Sequence, residues 1–145
     1  MIERVLDHDQ VIALILRNHQ SESGVHFLTP DDYSQQLAYM HHPPGKTIDP
    51  HVHNHIPREV HYTQEVLFIK KGKLRVDFYN SQKNYLESRV LETGDVILLA
   101  SGGHGFEVLE DLEMIEVKQG PYAGDADKVR FAAVSKDNIR IRSEE

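Results

Sequence analysis

The sequence predicts an all-β domain of sandwich or barrel type, and three observations point to it. Runs of four to eight apolar or alternating residues recur along the chain, each closed by turn residues. They follow one another at roughly 8–12-residue spacing, as in sandwiches and barrels, with few helical patterns between them. The length, 145 residues without a cysteine, is that of one domain able to bury a core without disulfides.

In chain order, residues 1–24 form the exception. Asp7 or Asp9 can cap a helix, and Val11, Ile12, Leu14, Ile15 and Leu16 recur at helical spacing, so a short N-terminal helix ending at Gly24 is expected. The barrel core spans 25–120. Its first strands are Val25–Leu28, closed by Thr29-Pro30-Asp31-Asp32, and Gln36–Met40, closed by Pro43-Pro44-Gly45. Glu65–Lys70 and Leu74–Tyr79 read as two strands joined by a tight turn at Gly72, a glycine free to take positive φ. Within them Glu65, Leu67 and Ile69 share one face, while Leu74, Val76 and Phe78 alternate with polar neighbours. Tyr85–Leu91 follows, then a turn at Glu92-Thr93-Gly94-Asp95, then Val96–Leu99, Phe106–Leu109 and Met114–Lys118. Residues 121–145 are a C-terminal extension whose end, Ile139-Arg-Ile-Arg-Ser-Glu-Glu145, alternates like an edge or exchanged strand.

Sixteen Lys and Arg against 23 Asp and Glu leave a net charge of -7, which disfavours nucleic acid and anionic membranes as partners. The run Val11–Leu16 is too short to span a bilayer, and neither a basic leader nor a cleavage site flanks it; a cytoplasmic protein is expected. Without cysteine, thiolate nucleophiles and sulfur-ligated metals are excluded.

Against this background the chain has ten histidines, about three times ordinary usage. Six of them, His41, His42, His51, His53, His55 and His61, fall within 21 residues. His51 and His53, at i and i+2 on an extended segment, point the same way and can reach one point. Glu65 follows on the next strand with its face set by Leu67 and Ile69. His104 follows the glycine-rich turn Gly102-Gly103, which shapes its approach. Three neutral imidazoles and a carboxylate suit a divalent transition metal such as Fe, Mn, Zn, Ni or Co far better than Ca²⁺ or Mg²⁺. Four protein ligands on an octahedral ion leave two positions for substrate, water or dioxygen. Met114, Glu116 and Lys118 share one side of their strand. If that side lines the barrel, Glu116 and Lys118 form a charged pair fit to move a proton or hold an anionic substrate.

Gly45, His51, His53, Glu65 and Gly72, followed by Gly94, Gly102 and His104, resemble the two motifs of the cupin superfamily. The resemblance covers about Gly45 to Val117, and it departs from the family in two places. Eleven residues separate His53 from Glu65 where three or four are usual, and Ala100 stands where proline is common. Because the longer gap holds His55, Glu59 and His61, His55 can replace His51 and Glu59 can replace Glu65 in the ligand set. The resemblance implies a double-stranded β-helix, or jelly-roll, barrel. It also implies one divalent metal on His51, His53, Glu65 and His104, beside which Glu116 and Lys118, by their strand parity, are the catalytic candidates. Arg58, Tyr62, Phe78 and Tyr122 are weaker pocket candidates. The expected function is metal-dependent oxidation or isomerisation of a small polar substrate, a hydroxy or keto acid or a sugar derivative. The alternatives are a non-catalytic cupin module binding a metal or small ligand, and a metal-free epimerase-like barrel with a histidine base. A homodimer is expected by the same resemblance, with the N-terminal segment and the C-terminal tail as candidate contact surfaces.

Overall fold

The first segment folds as a hairpin and not as the expected helix. The computed structural model describes residues 1–143, and in it β1 (Ile2–Asp7) pairs antiparallel with β2 (Gln10–Leu16). Asp7 and Asp9, expected as caps, flank the reversal, where His8 takes a positive φ of 54°. The apolar run in β2 has a strand explanation. Ile12 to Leu16 are all buried because both faces of the strand are covered. A strand buried on both sides is continuously apolar and imitates a helix over a short window.

β3 (Gly24–Phe27) and β4 (Ala38–His41) form a separate two-stranded sheet close to the predicted positions. The main sheet has six strands in the order β1-β2-β7-β5-β6, with β8 on the other edge of β5. β6 (Tyr85–Glu92) and β7 (Val96–Leu99) lie where the sequence places them. β5 differs from expectation. It is one continuous strand, Glu65–Tyr79, running through Gly72, and it pairs along its whole length with the equally continuous β8, Gly103–Lys118. Gly72 does have positive φ, 100°, but it bends the strand instead of reversing it. Three register irregularities between Ile69 and Leu74 accompany the bend. The first half of β5 pairs β7 and the second half pairs β6, so the sheet curls into an antiparallel half-barrel.

Side-chain parity fills the concave side. Leu67, Ile69, Leu74, Val76 and Phe78 of β5 join Val5, Ile15, Leu91 and Ile97 in one buried cluster. On the opposite face Leu14, Leu98 and Ala100 form a smaller one, covered by Tyr33 and Leu37. Across the bend a charged ladder links β5 to β8: Lys71 to Asp111 at 3.1 Å, Lys73 to Glu110 at 3.5 Å, and Arg75 to Glu107. The second half of the concave face is less covered, with Phe106 41% exposed on β8.

The tail crosses the sheet without forming the expected strand. Gly124–Asp127 and Lys136–Asn138 are short 3-10 helices, and among the described residues the alternating end makes an isolated parallel bridge, Ser88 to Ile141, with Glu144 and Glu145 outside the described residues. Among the described residues no helix is long and apolar enough to cross a membrane.

The bend supplies a direct test. A Cβ on residue 72 would lie 2.1 Å from the Asp111 carbonyl oxygen, on a backbone few L residues adopt. Gly72→Ala is expected to lose about 1–3 kcal/mol for the left-handed backbone alone, with the clash added. Urea unfolding checks it, and an unchanged midpoint would show that the bend does not depend on this glycine.

Candidate functional site

Curling brings the two ends of the β5–β8 pair together. Glu65 opens β5 opposite Lys118, the last residue of β8, while His104 near the start of β8 lies opposite Phe78 near the end of β5. In a flat hairpin these ends would be more than 40 Å apart, at roughly 3.3 Å per residue. Here His104 Nε2 lies 3.9 Å from Glu65 Oε2, and Lys118 Nζ lies 3.5 Å from Glu65 Oε1. Glu116, opposite Leu67 and two residues before Lys118 on the same face, lies close enough to Glu65 for the two carboxyls to interact.

The electrostatics follow from this crowding. Glu65 is one of the few buried acids. The adjacent Glu65 carboxyl, together with burial and the Glu65 charge, pushes the Glu116 carboxyl above its ordinary value. Burial pushes the His104 imidazole below its usual value, and the ammonium groups of Lys118 and Lys128 add to this against the opposing charge of Glu116. A neutral imidazole therefore faces the carboxyl pair at pH 7. Lys118 is held above its ordinary value, chiefly by the Glu65 charge, and stays cationic. The cluster offers a pair of carboxyls, a neutral imidazole and a fixed cation within one open face.

His51 and His53 are placed elsewhere. Both are exposed on the 42–64 segment, which carries no strand, and their rings meet edge to face with centroids 5.4 Å apart. Two imidazoles sharing a tetrahedral ion at about 2.1 Å per metal–nitrogen bond would have ring centres about 5 Å apart. His51 Nδ1 donates to the Asp49 carbonyl at 2.9 Å, leaving the Nε2 lone pair free, the orientation metal-binding histidines commonly have. The donors therefore fit a transition ion in kind, in two halves: Glu65 with His104, and His51 with His53. Among the described residues no three His, Asp or Glu side chains converge into a metal-holding group.

The remaining histidines divide as follows. His61 approaches Glu59 at 3.5 Å on the exposed segment, and His55 is exposed beside them. His41 Nδ1 donates to the Ser21 carbonyl at 3.1 Å, and His26 Nε2 donates to the Ser23 carbonyl. His42 Nε2 is buried without a hydrogen-bond partner. Of the weaker pocket candidates, Phe78 is fully buried in the core, and Arg58 and Tyr62 are exposed. Tyr122 borders a small cavity of about 70 Å³ beside Lys118, with Thr63, Asp127 and Lys128.

Sequence reasoning missed two features. Lys128 sits beyond every motif, and nothing local marks it. The buried network Glu3–Arg17–Asp95 and Glu3–Arg89–Glu87 was also invisible, its charges being scattered over more than 90 positions. A separate cleft of about 430 Å³ includes Arg17, Glu92 and Asp95 in its lining. Arg17 there is committed to Glu3, Asp95 and the Val90 carbonyl, beside His19, Thr93, Arg142 and Ser143 in the same lining.

Compared with known protein families, curated proteins and solved structures, the chain matches none.

Proposed function

We propose that the protein is a cupin-type enzyme acting on a small polar substrate at the concave face of β5 and β8, by metal-dependent oxidation or isomerisation. The observation that supports this reading is the meeting of Glu65, Glu116, His104 and Lys118 at one point from opposite ends of two long strands. Glu65 and His104 would hold one divalent transition ion, with His51 and His53 completing the set from the 42–64 segment. Bound there, the ion would supply Lewis acidity or one-electron chemistry to a substrate oxygen. The chain's own groups do the rest. Glu116 holds a proton for transfer, and Lys118 fixes the charge of Glu65 and faces an anionic substrate group.

The distance of His51 and His53 from the cluster favours a second reading, a non-catalytic module that captures a metal or small ligand. Elemental analysis of protein purified without a metal-affinity tag separates the two. The enzyme reading expects about one transition ion per chain, lost in His104→Ala and Glu65→Gln and kept in a His8→Ala control. It also expects turnover in a substrate-class screen run under air and argon. Stoichiometric metal in both His104→Ala and Glu65→Gln would overturn it. Metal lost only in His51→Ala and His53→Ala would favour capture on the surface segment.

A further inference from the structure

Two surfaces of the chain each carry half of a ligand set together with uncovered apolar residues. The first is the concave side of β8. His104, Phe106 and Val108, then Met114 and Glu116, lie opposite core-facing residues of β5 running from Phe78 back to Leu67. They continue the core side of the sheet, yet Phe106, Val108 and Met114 are exposed. Among the described residues no strand pairs with the outer edge of β8. The second surface is the 42–64 segment. Val52 stands between His51 and His53, with Ile48 and Ile56 on either side, and all three apolar residues are exposed. Exposed apolar residues gathered around chemical groups mark surfaces that meet a partner.

Within one chain the two halves stay apart. The far end of the segment is tied to the 119–134 strap that leaves β8. Thr63 donates its hydroxyl to Asp127 Oδ1 at 2.6 Å, and the Gln64 carbonyl accepts the Gln119 N–H at 3.0 Å. The strap itself is held at its other end, where the Phe131 ring meets Tyr79 with centroids 4.9 Å apart. His51 and His53 are already spaced for one ion, with His51 Nδ1 turned to the Asp49 carbonyl. Carrying that pair to Glu65 and His104 in the same chain requires refolding the segment. A second copy presents it as it stands, in keeping with the small backbone movement of most interfaces. The charges agree. β8 carries five acids and one lysine; the ladder from β5 meets three of the acids, and Glu113 and Glu116 lie beyond it. Residues 41–61 balance Lys46 and Arg58 against Asp49 and Glu59 and add six histidines, so any net charge there is positive. A two-fold pairing lays each segment on the other copy's concave face and closes two identical centres at once.

We propose that the metal centre is shared between two copies of the chain, Glu65 and His104 of one joined by His51 and His53 of the other, so that a single chain holds half a centre. This rests on the metal-dependent reading of the concave face and adds the partner that completes it.

The test uses full chains with tags that bind no metal, loaded with Mn(II) or Zn(II), desalted and read by elemental analysis. Wild type is expected to be a dimer by light scattering with one ion per chain. One double variant, His51→Ala with His53→Ala, and another, Glu65→Gln with His104→Ala, are each expected to hold none, with circular dichroism confirming the fold. If the second does not fold, His104→Ala alone takes its place. Co-expressed under two different tags and isolated as a mixed pair, the two variants are expected to regain one ion per pair. One centre then has all four ligands and the other has none. A mixed pair without an ion, beside wild type with one per chain, overturns the sharing and leaves the metal reading standing. Wild type that holds its ion as a monomer does the same. An ion kept by either double variant overturns the sharing, because both halves are required. Wild type that holds neither metal overturns both readings.

Discussion

Phe78→Ala is expected to lower the free energy of unfolding by about 3–5 kcal/mol, the usual range for deleting a buried aromatic ring. Phe78 is fully buried in the cluster containing Val76, Leu74 and Leu91, and it lies opposite His104 in the β5–β8 register. The cavity would therefore open directly under the site, where the backbone is held by pairing on both edges and cannot collapse. At roughly 2–4 °C per kcal/mol for a chain of this size, the melting temperature should fall by about 6–20 °C. Phe106→Ala on β8, already 41% exposed, is the comparison and should cost much less. A loss below about 1 kcal/mol for Phe78→Ala would mean that the concave side is not packed as described.

Arg89→Met is expected to cost about 3 kcal/mol at neutral pH. The Arg89 side chain is only 4% exposed and donates to Glu3 at 2.7 Å and Glu87 at 2.9 Å. Removing one partner of a buried ion network strands the other charges, a loss of about 3–5 kcal/mol. The lower end applies because Arg17 stays on Glu3 at 2.7 Å. The loss has a pH signature. Burial pushes the Glu3 carboxyl up, but the hydrogen bond and charge of Arg17 and the charge of Arg89 outweigh it, leaving Glu3 below its ordinary value of 4.5. A carboxyl depressed in the native state contributes stability above its unfolded value, and that contribution is lost as pH falls through the native one. The gap between wild type and Arg89→Met should therefore narrow below about pH 4.5. Urea unfolding at pH 7 and at acid pH measures it, and a gap independent of pH would remove Glu3 from the network.

Short-range pattern carried most of the strands and little of their connection. Val96–Leu99 and Tyr85–Leu91 were legible because alternation and the Glu92–Asp95 turn are local properties. The inward direction of Glu65 was legible from its parity with Leu67 and Ile69, and all three are buried. The N-terminal hairpin was not, because Ala13 and Ile15 pack into one buried cluster and Leu14 between them into the other, on a strand covered on both faces. Nor was the continuity of β5. A lysine pair followed by glycine reads as a turn, and only the returning β8, some 40 residues later, makes it a bend. The candidate site was half visible. Glu65, His104, Glu116 and Lys118 meet on one face, whereas His51 and His53 lie on a segment whose proline-flanked, polar composition gives the backbone no ladder to join. Lys128 had no local signal, since its position depends on the strap folding back.

The charged ladder across the bend has a consequence for where the site comes from. Each exposed rung is worth little by itself, within about 0–1 kcal/mol. Yet Lys71, Lys73 and Arg75 face Asp111, Glu110 and Glu107 where hydrogen-bond pairing is most irregular, and a slipped alignment is most tempting there. Sliding β8 by two residues keeps every side chain on its proper face but breaks the charge pattern. It also carries His104 about 7 Å along the strand, out of reach of Glu65. Sheet burial alone tolerates that error, and the three rungs do not. They act as a ruler for the chain, setting the distance between two chemical groups that lie at opposite ends of it.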